Sequence, residues 1–199
     1  MKKYHIKVKD KVVHRTDNVK EAMNVVNVVD NYLDVESFKV ISETLNGRLF
    51  PWFFSEEKVF LKEVGLFNYQ FTHYFFKNFT INSTYFDILN PLIEKMDVKS
   101  LVRIKANLNP ISHKLIEFES HKDQKYKCKA AIYYINDNNG YTMFGNEKVE
   151  SKQNRIVIFD TETAHSSTNS TDCKNRMVIN FNYFDWEDDL EYEKIPYKS

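Results

Sequence analysis

The sequence contains little glycine, proline or cysteine, no excess of either charge, and no long apolar run. Four glycines and four prolines among 199 residues argue against a low-complexity or disordered chain. The 28 basic and 28 acidic side chains give a formal net charge of zero, so the basic surplus that favours nucleic-acid binding is missing. We therefore do not expect a nucleic-acid partner, although a local basic patch would not show in this total.

Nothing in the sequence indicates a secreted or membrane protein. The first residues, MKKYHIKVKDKVVHR, lack an apolar core of signal-peptide length, and no later stretch is long and apolar enough to span a bilayer. Cys128 and Cys173 have neither CxxC nor disulfide-framework spacing, which is typical of reduced thiols. We expect a cytoplasmic protein with no membrane partner.

Large aromatic side chains are plentiful, with 16 Phe, 12 Tyr and 2 Trp. They suit packed β-sheet better than a helical bundle. Residues 1–98 are nevertheless predicted to be mainly helical and irregular, as a support for a later sheet. Within them, the segment FPWFF at residues 50–54 is expected to pack on the core.

Three segments of this N-terminal part have apolar residues at helical spacing. The predicted helices cover residues 19–33, 34–46 and 83–96. Asp17 or Asn18 is a candidate cap for the first helix, and Gly47 ends the second. Ser83 is a candidate cap for the third helix, which Pro91 interrupts.

Residues 99–185 have the alternation of strands. In residues 101–110, one predicted face consists of Val102, Ile104, Ala106 and Leu108, and the other of Arg103, Lys105, Asn107 and Asn109. Further strand candidates are residues 127–137, 141–144, 154–160 and 176–184. Helices followed by many short strands predict a single α+β domain over residues 1–199, and a jelly roll would close such strands without long exposed edges.

A candidate metal site begins with His121 and Asp123, separated by one residue. Positions i and i+2 of a strand point to the same side, so the imidazole and the carboxylate converge. His165 follows a later predicted strand and supplies a second imidazole. Two His and one carboxylate can occupy one face of an octahedral iron and leave the other positions open. Taken alone, each of these residues is as well explained by a solvated surface position.

Arg176 adds a cation at the start of the strand that follows His165. An anionic co-substrate that chelates iron through one end needs a positive charge at its other end, and Arg pairs bidentately with a carboxylate. The alternative for Arg176 is a surface ion pair with Asp172 or Glu162.

The segments HKD, AIYYIND, NGYTMF, NRIVIFD, TAHSS and NRMVINFNYFD resemble the catalytic half of prolyl-hydroxylase-type 2-oxoglutarate oxygenases. The resemblance covers roughly residues 100–185 and is strongest to small viral and bacterial members. It implies a double-stranded β-helix in which His121, Asp123 and His165 bind Fe(II). It also implies that Arg176 binds the distal carboxylate of 2-oxoglutarate together with the hydroxyl of Tyr134, while Tyr133 points outward.

The resemblance thus implies an Fe(II)- and 2-oxoglutarate-dependent dioxygenase that uses dioxygen, hydroxylates an unactivated C–H bond and releases succinate and carbon dioxide. Candidate substrates are a peptidyl proline, another protein residue or a small molecule. Alternatives are a nucleobase oxygenase of the same superfamily and a non-catalytic jelly-roll binding module. Because Asp123 leaves no coordination site for halide, halogenation is not expected. Further candidates for lining the pocket are Asn107, Asn109, Thr142 and Asn180, with a solvent-facing edge as the alternative for the first two.

Overall fold

The computed structural model describes residues 26–56 and 69–186, which form a strand-rich fold. Its elements, in chain order, are β1 (Asn27–Val29), α1 (Val35–Asn46), β2 (Phe53–Ser55), β3 (Gln70–Lys77), β4 (Thr80–Ile81), a 3₁₀ helix (Phe86–Leu89), α2 (Asn90–Lys95), β5 (Ser100–Pro110), β6 (Lys129–Tyr134), β7 (Tyr141–Phe144), β8 (Glu147–Glu150), β9 (Arg155–Asp160), β10 (Ser166–Ser167) and β11 (Asn175–Phe184). None of the helices in these ranges is long and apolar enough to cross a membrane.

The strands form two antiparallel sheets. The large sheet has the order β1-β9-β6-β11-β5-β3-β2, with β4 paired to β3, and the small sheet has the order β10-β7-β8. Two isolated bridges, Glu117 with Thr168 and His121 with His165, continue the pairing next to β10. Apolar side chains from β6, β7, β8, β9 and β11 form one cluster, so the small sheet packs on one face of the large sheet, as in a jelly roll.

The other face of the large sheet carries the main hydrophobic core. Ile179 and Phe181 of β11 are fully buried there with Ile41 and Leu45 of α1 and Leu92 of α2. Burying a side chain such as that of Phe181 stabilises the fold by about 1.5–3 kcal/mol. Because successive side chains of a strand point to opposite faces, the alternate residues of β11 point toward the small sheet.

The predicted helix at residues 34–46 is confirmed as α1. The Asp34 carboxylate accepts a hydrogen bond from the backbone N–H of Ser37 at 2.9 Å, which caps the first turn. At the other end, the Gly47 N–H donates to the carbonyl of Thr44 at 3.0 Å. The predicted stop at Gly47 is therefore also confirmed.

The predicted helix at residues 83–96 is divided in two. A 3₁₀ helix precedes α2, and Pro91 lies in the first turn of α2, where its missing N–H has no intrahelical partner to lose. The prediction that Ser83 caps a helix is wrong, because Tyr85 and Leu89 occupy the two cap positions. The Ser83 hydroxyl instead accepts a hydrogen bond from the Tyr85 N–H at 3.1 Å.

The helix predicted over residues 19–33 is wrong where the structure describes it. Residues 27–29 form β1, in which Val28 pairs with Val157 of β9. β-Branched side chains favour strands. At this half-exposed sheet edge, that preference outweighs the helical spacing of the valines. The candidate caps Asp17 and Asn18 lie outside the described residues.

Four strands lie in the part that is predicted to be mainly helical, and β3 is the longest of them. Of the predicted supporting helices, the described residues contain only α1, the short α2 and the 3₁₀ helix. Phe50 is buried as expected, but Phe53 and Phe54 are 61% and 60% exposed on β2. The predicted strands after residue 99 correspond to β5, β6, β7, β9 and β11.

Candidate metal and co-substrate site

The three predicted metal ligands, His121, Asp123 and His165, lie together beside the small sheet. Their ligand atoms are all within 4.8 Å of one another. His121 and His165 pair antiparallel, with reciprocal N–H to carbonyl distances of 2.9 and 3.0 Å. Asp123 follows in a bend rather than in a strand. The His121 and Asp123 side chains therefore converge through a bridge followed by a bend, and not through the alternation of a strand.

Both imidazoles are oriented so that one ring nitrogen stays free. The Nδ1–H of His121 donates to the carbonyl of Glu119, and that of His165 donates to the carbonyl of Thr163, each at 3.3 Å. These bonds fix the tautomer and leave Nε2 with a lone pair for a metal. Burial lowers the pKa of His165, which favours the neutral form that metal binding requires.

Hydrogen bonds hold both carboxylate oxygens of Asp123. Arg103 Nη2 donates to Oδ1 at 3.1 Å, and Asn182 Nδ2 donates to Oδ2 at 3.0 Å. Gln124 in turn donates to Asn182 Oδ1 at 3.2 Å, which fixes that carboxamide. Burial acts to raise the pKa of Asp123, but the charge of Arg103 leads the contributions that outweigh it, so this pKa lies below its usual range. The Asp123 carboxylate is therefore ionised, and its orientation is fixed.

Two aromatic rings enclose His165 on the side of the small sheet. The ring of Phe159 meets the imidazole edge-on at 5.0 Å between centroids, and that of Phe144 stacks on it at 5.7 Å. These two rings also contact each other, at 4.8 Å. They keep water from one side of His165 and limit the rotation of its imidazole.

Arg176 is buried with only 1% of its surface exposed. Its Nε donates to Ser151 Oγ at 2.9 Å and its Nη2 to Thr142 Oγ1 at 3.2 Å. The alternative of a surface ion pair with Asp172 or Glu162 is wrong, since no acidic side chain pairs with Arg176 among the described residues. A buried guanidinium that contacts only hydroxyls is costly unless an anion joins it.

Tyr134 lies directly beside this guanidinium. Its hydroxyl donates to Thr142 Oγ1 at 2.8 Å, and Arg176 lies over its ring at 5.6 Å from the centroid. Burial raises the pKa of Tyr134, so the phenol stays protonated and able to donate. Tyr133 does point to the opposite face, but not outward to solvent: it is fully buried in the main core, and its hydroxyl donates to Asn154 at 2.7 Å.

One cavity connects Arg176 with the two imidazoles. Its empty volume is about 370 Å³ when the open solvent at its mouth is included. Its lining consists of Gln70, Asn107, Asn109, His121, Ile132, Thr142, His165, Ser167, Arg176, Val178 and Asn180. The four further candidates from the sequence therefore all reach this cavity, which excludes the solvent-facing alternative for the two asparagines of β5.

Three carboxamide oxygens in this cavity lack hydrogen-bond partners among the residues that the structure describes. The Oδ1 atoms of Asn107, Asn109 and Asn180 are buried and unpaired. Buried polar atoms are normally satisfied, so a polar ligand between them would complete their bonding. A carboxamide can present either its oxygen or its NH₂ group to such a ligand. Together with Arg176, these groups fit an oxygen-rich anion.

Three supporting residues were not identified as part of the site from the sequence. Arg103 and Asn182 hold Asp123; strand alternation places both on polar faces but does not show that they reach Asp123. Gly140 carries no comparable signal. A Cβ atom at Gly140 would lie 2.6 Å from Arg176 Cδ and 2.5 Å from the carbonyl oxygen of Asn169. Gly140 is therefore needed for the close packing of Arg176.

The sequence matches no protein-family model and no curated protein, but its fold matches solved structures. A prolyl hydroxylase from Trichoplax adhaerens, in complex with a hypoxia inducible factor oxygen degradation domain peptide fragment, aligns with a TM-score of 0.57 at 12% identity, over 83% of this chain and 86% of that chain. This chain has the fold of the prolyl hydroxylases.

Two further prolyl hydroxylases support this fold assignment. The viral collagen prolyl hydroxylase of Paramecium Bursaria Chlorella virus-1, in a 2OG complex, aligns with a TM-score of 0.54 at 10% identity, over 83% of this chain and 97% of that chain. A Pseudomonas putida prolyl-4-hydroxylase aligns with a TM-score of 0.55 at 9% identity, over 80% and 92%. The prolyl-hydroxylase fold thus extends well beyond residues 99–185, and the predicted jelly-roll core is confirmed.

Proposed function

We propose that this chain is an Fe(II)- and 2-oxoglutarate-dependent dioxygenase that hydroxylates an unactivated C–H bond and releases succinate and carbon dioxide. One observation carries the proposal: a single cavity is lined by the two imidazoles of the His121, Asp123 and His165 group and by Arg176, which has no acidic partner among the described residues. 2-Oxoglutarate has matching groups, since its keto acid chelates a metal and its second carboxylate needs a cation.

The triad side chains are suited to hold Fe(II). His121, Asp123 and His165 would bind one face of the ion and leave the remaining positions to co-substrate and dioxygen. Bound there, the iron supplies the oxidising power that side chains lack. The chain contributes fixed ligands, because carbonyl groups orient both imidazoles and Arg103 orients the carboxylate.

Arg176 and its neighbours would hold the distal carboxylate of 2-oxoglutarate. Ser151 and Thr142 occupy two of its donor nitrogens and leave the rest of the planar fork for a carboxylate. The Tyr134 hydroxyl, which donates to Thr142 Oγ1, would become a second donor by turning from Thr142 to the carboxylate. Asn107 and Asn109 line the wall between this end and the metal and would complete the polar contacts.

For the substrate, we propose a peptidyl proline or a related residue. Two structural neighbours, described as a prolyl hydroxylase with a peptide fragment and as a collagen prolyl hydroxylase, support it. A small molecule is the alternative, and the zero net charge argues against a nucleobase. We place the enzyme in the cytoplasm, since Cys173 forms no disulfide, which suits a reducing compartment.

The test is metal binding and succinate formation by the purified protein. We expect one Fe(II) or Mn(II) per chain, and succinate from 2-oxoglutarate that depends on iron and dioxygen during long incubations with a panel of proline peptides and small molecules. His165→Ala should abolish both, while His113→Ala, an exposed residue of the β5–β6 connection, should leave both unchanged. Wild-type protein without stoichiometric metal would contradict the proposal and favour a non-catalytic jelly-roll binding module.

A further inference from the structure

Besides Arg103, a second cationic side chain lies near the triad and has no role in the proposed chemistry. Lys105 lies on the same face of β5 as Arg103 and the cavity residue Asn107, because strand residues two apart share a face. Its neighbours across the sheet are Asn180 on β11 and Tyr74 on β3. Lys105 is therefore one step along the strand from the arginine that holds Asp123.

The side chain of Lys105 makes no hydrogen bond or ion pair within residues 26–56 and 69–186. Its Nζ lies 5.9 Å from the ring centroid of Tyr74, and Lys77 approaches the same ring at 4.4 Å. Burial, reinforced by the charge of Arg103, lowers the pKa of Lys105 to about 8. The ammonium thus stays mostly protonated at neutral pH, although it is half-buried and lacks a counter-ion.

The charges of the loaded site show what is missing. Asp123 and the two carboxylates of 2-oxoglutarate balance the double charge of Fe(II) and the single charge of Arg176. Arg103 and Lys105 then remain as excess positive charges. The Nε of Arg103 is also buried without a partner. An anion next to these two side chains would balance their excess positive charge and give the Arg103 Nε a hydrogen-bond acceptor.

We propose that Lys105 and Arg103 form a subsite for a carboxylate that the substrate carries close to the carbon to be oxidised. The inference rests on the proposed function and narrows its substrate class to acidic molecules or acidic peptide segments. Arg176 serves the co-substrate at the far end of the cavity, whereas Lys105 selects the substrate beside the metal. The ring of Tyr74, which both Lys105 and Lys77 approach, would form the apolar wall of the subsite.

The experiment measures binding rather than turnover. The protein is loaded with Mn(II) and saturated with N-oxalylglycine, an unreactive analogue of 2-oxoglutarate that occupies Arg176. The probes are N-acetyl-L-aspartate and its uncharged amide, N-acetyl-L-asparagine, and the relaxation of their protons by Mn(II) reports how closely each approaches the metal. Inorganic phosphate, followed through its ³¹P relaxation, is the competing anion.

We expect wild-type protein to bind the acidic probe at least about tenfold more tightly than the amide, as for one charge-assisted contact. Lys105→Met should remove this preference, and Lys105→Arg should retain it. Lys39→Met, which changes an exposed lysine of α1, should bind like the wild type. Thermal melting of each variant establishes that it is folded.

Three results would overturn the subsite: equal binding of acid and amide, a preference that survives Lys105→Met, or tighter binding of phosphate than of the carboxylate probe. If Lys105→Met instead weakens N-oxalylglycine, Lys105 belongs to the co-substrate and the proposal is wrong. Failure of the wild type to bind Mn(II) or N-oxalylglycine at all would show before any probe is added. That result would reject the proposed function and the subsite with it.

Discussion

At the scale of single residues, the metal site depends on side chains that bind no metal. The carboxylate of Asp123 is held at both oxygens, by Arg103 and Asn182. Such supporting hydrogen bonds fix the direction in which a ligand presents its lone pairs. The triad is therefore part of a larger polar network on the faces of β5 and β11.

Replacing Arg103 tests this network. We expect Arg103→Met to weaken Mn(II) binding by about 10–100-fold, because Asp123 loses one partner and much of the charge that lowers its pKa. Calorimetric titration of Mn(II) measures the effect. Arg48→Met, at an exposed position after α1, is the matched control. Unchanged affinity in folded Arg103→Met protein would contradict the role given to Arg103.

Gly140 tests the other end of the cavity. In Gly140→Ala, the new methyl group would overlap Arg176 Cδ and the carbonyl of Asn169, so we expect Arg176 to move. The affinity for 2-oxoglutarate should fall at least about tenfold, equivalent to 1.4 kcal/mol, while Mn(II) still binds. Gly145→Ala is the control, since its φ of +61° makes that change strain the backbone as well, while the new methyl group meets open space and does not contact Arg176. Equal 2-oxoglutarate affinities in the two variants would count against the packing argument.

The residue types of the triad and the cation were predictable, but their support was not. His121, Asp123, His165 and Arg176 stand out because their chemistry is specific and their order matches a known pattern. Arg103 looked like one polar residue among several on its strand. Only the fold shows that Asp123 reaches it, across the loop between β5 and β6.

At the scale of elements, alternation explains which strands were found. β5 and β11 each have one polar and one apolar face, because each lies between the core and the cavity. That alternation made both strands recognisable in the sequence. β3 was missed because Phe71, Phe75 and Phe76 are interleaved with buried polar residues and give no simple period. The two residues of β10 are too few for a periodic signal, three of the four residues of β8 are charged, and valines at helical spacing concealed β1.

An ion pair anchors the start of the described chain to β9, and its contribution to the stability of the fold depends on pH. Asp30 accepts hydrogen bonds from Arg155 and Lys152, chiefly that of Arg155, and these lower its pKa to about 2. A carboxyl whose pKa is lower in the folded state stabilises the fold above its unfolded pKa of 3.8 and loses this effect as the pH falls toward 2.

We therefore expect Asp30→Asn to reduce the free energy of unfolding by no more than about 1 kcal/mol at pH 7, because solvent screens such exposed pairs. Urea denaturation at several pH values measures the difference from the wild type, which should shrink between pH 4 and pH 2. Asp87→Asn, which changes an exposed carboxylate in the 3₁₀ helix, is the control. A difference that grows on acidification would have the wrong sign.

At the scale of the whole molecule, the large sheet separates two tasks. One face packs on the helices and holds the fold together, while the other faces the small sheet and carries the cavity. The proposed metal ligands and co-substrate contacts come from segments distant in sequence. They are fixed relative to one another because both sheets are packed rather than because any loop is stiff.

Metal should therefore stabilise the whole fold. A ligand at one hundred times its dissociation constant adds about 2.7 kcal/mol to the unfolding free energy, which for a chain of this size raises Tm by about 5–10 °C. Thermal melting with Mn(II) and then with excess chelator measures the shift. Asp123→Ala should show none. An equal rise in that variant would mean that the metal binds elsewhere.

The jelly-roll core could be predicted from the run of short strands and from the resemblance of residues 100–185. The N-terminal part could not, because its strands complete the large sheet through pairing with distant segments, as β1 does with β9 and β3 with β5. Such pairing depends on the whole fold and leaves no local period in the sequence.

The most direct test of the central claim is calorimetric titration of 2-oxoglutarate into Mn(II)-loaded protein. The wild type should bind one molecule per chain, and binding should disappear when Mn(II) is removed. Arg176→Gln should weaken binding at least about tenfold, as expected for loss of a charge-assisted pair, whereas Arg48→Gln should not. Binding that is absent from the wild type, or that needs neither the metal nor Arg176, would contradict the account.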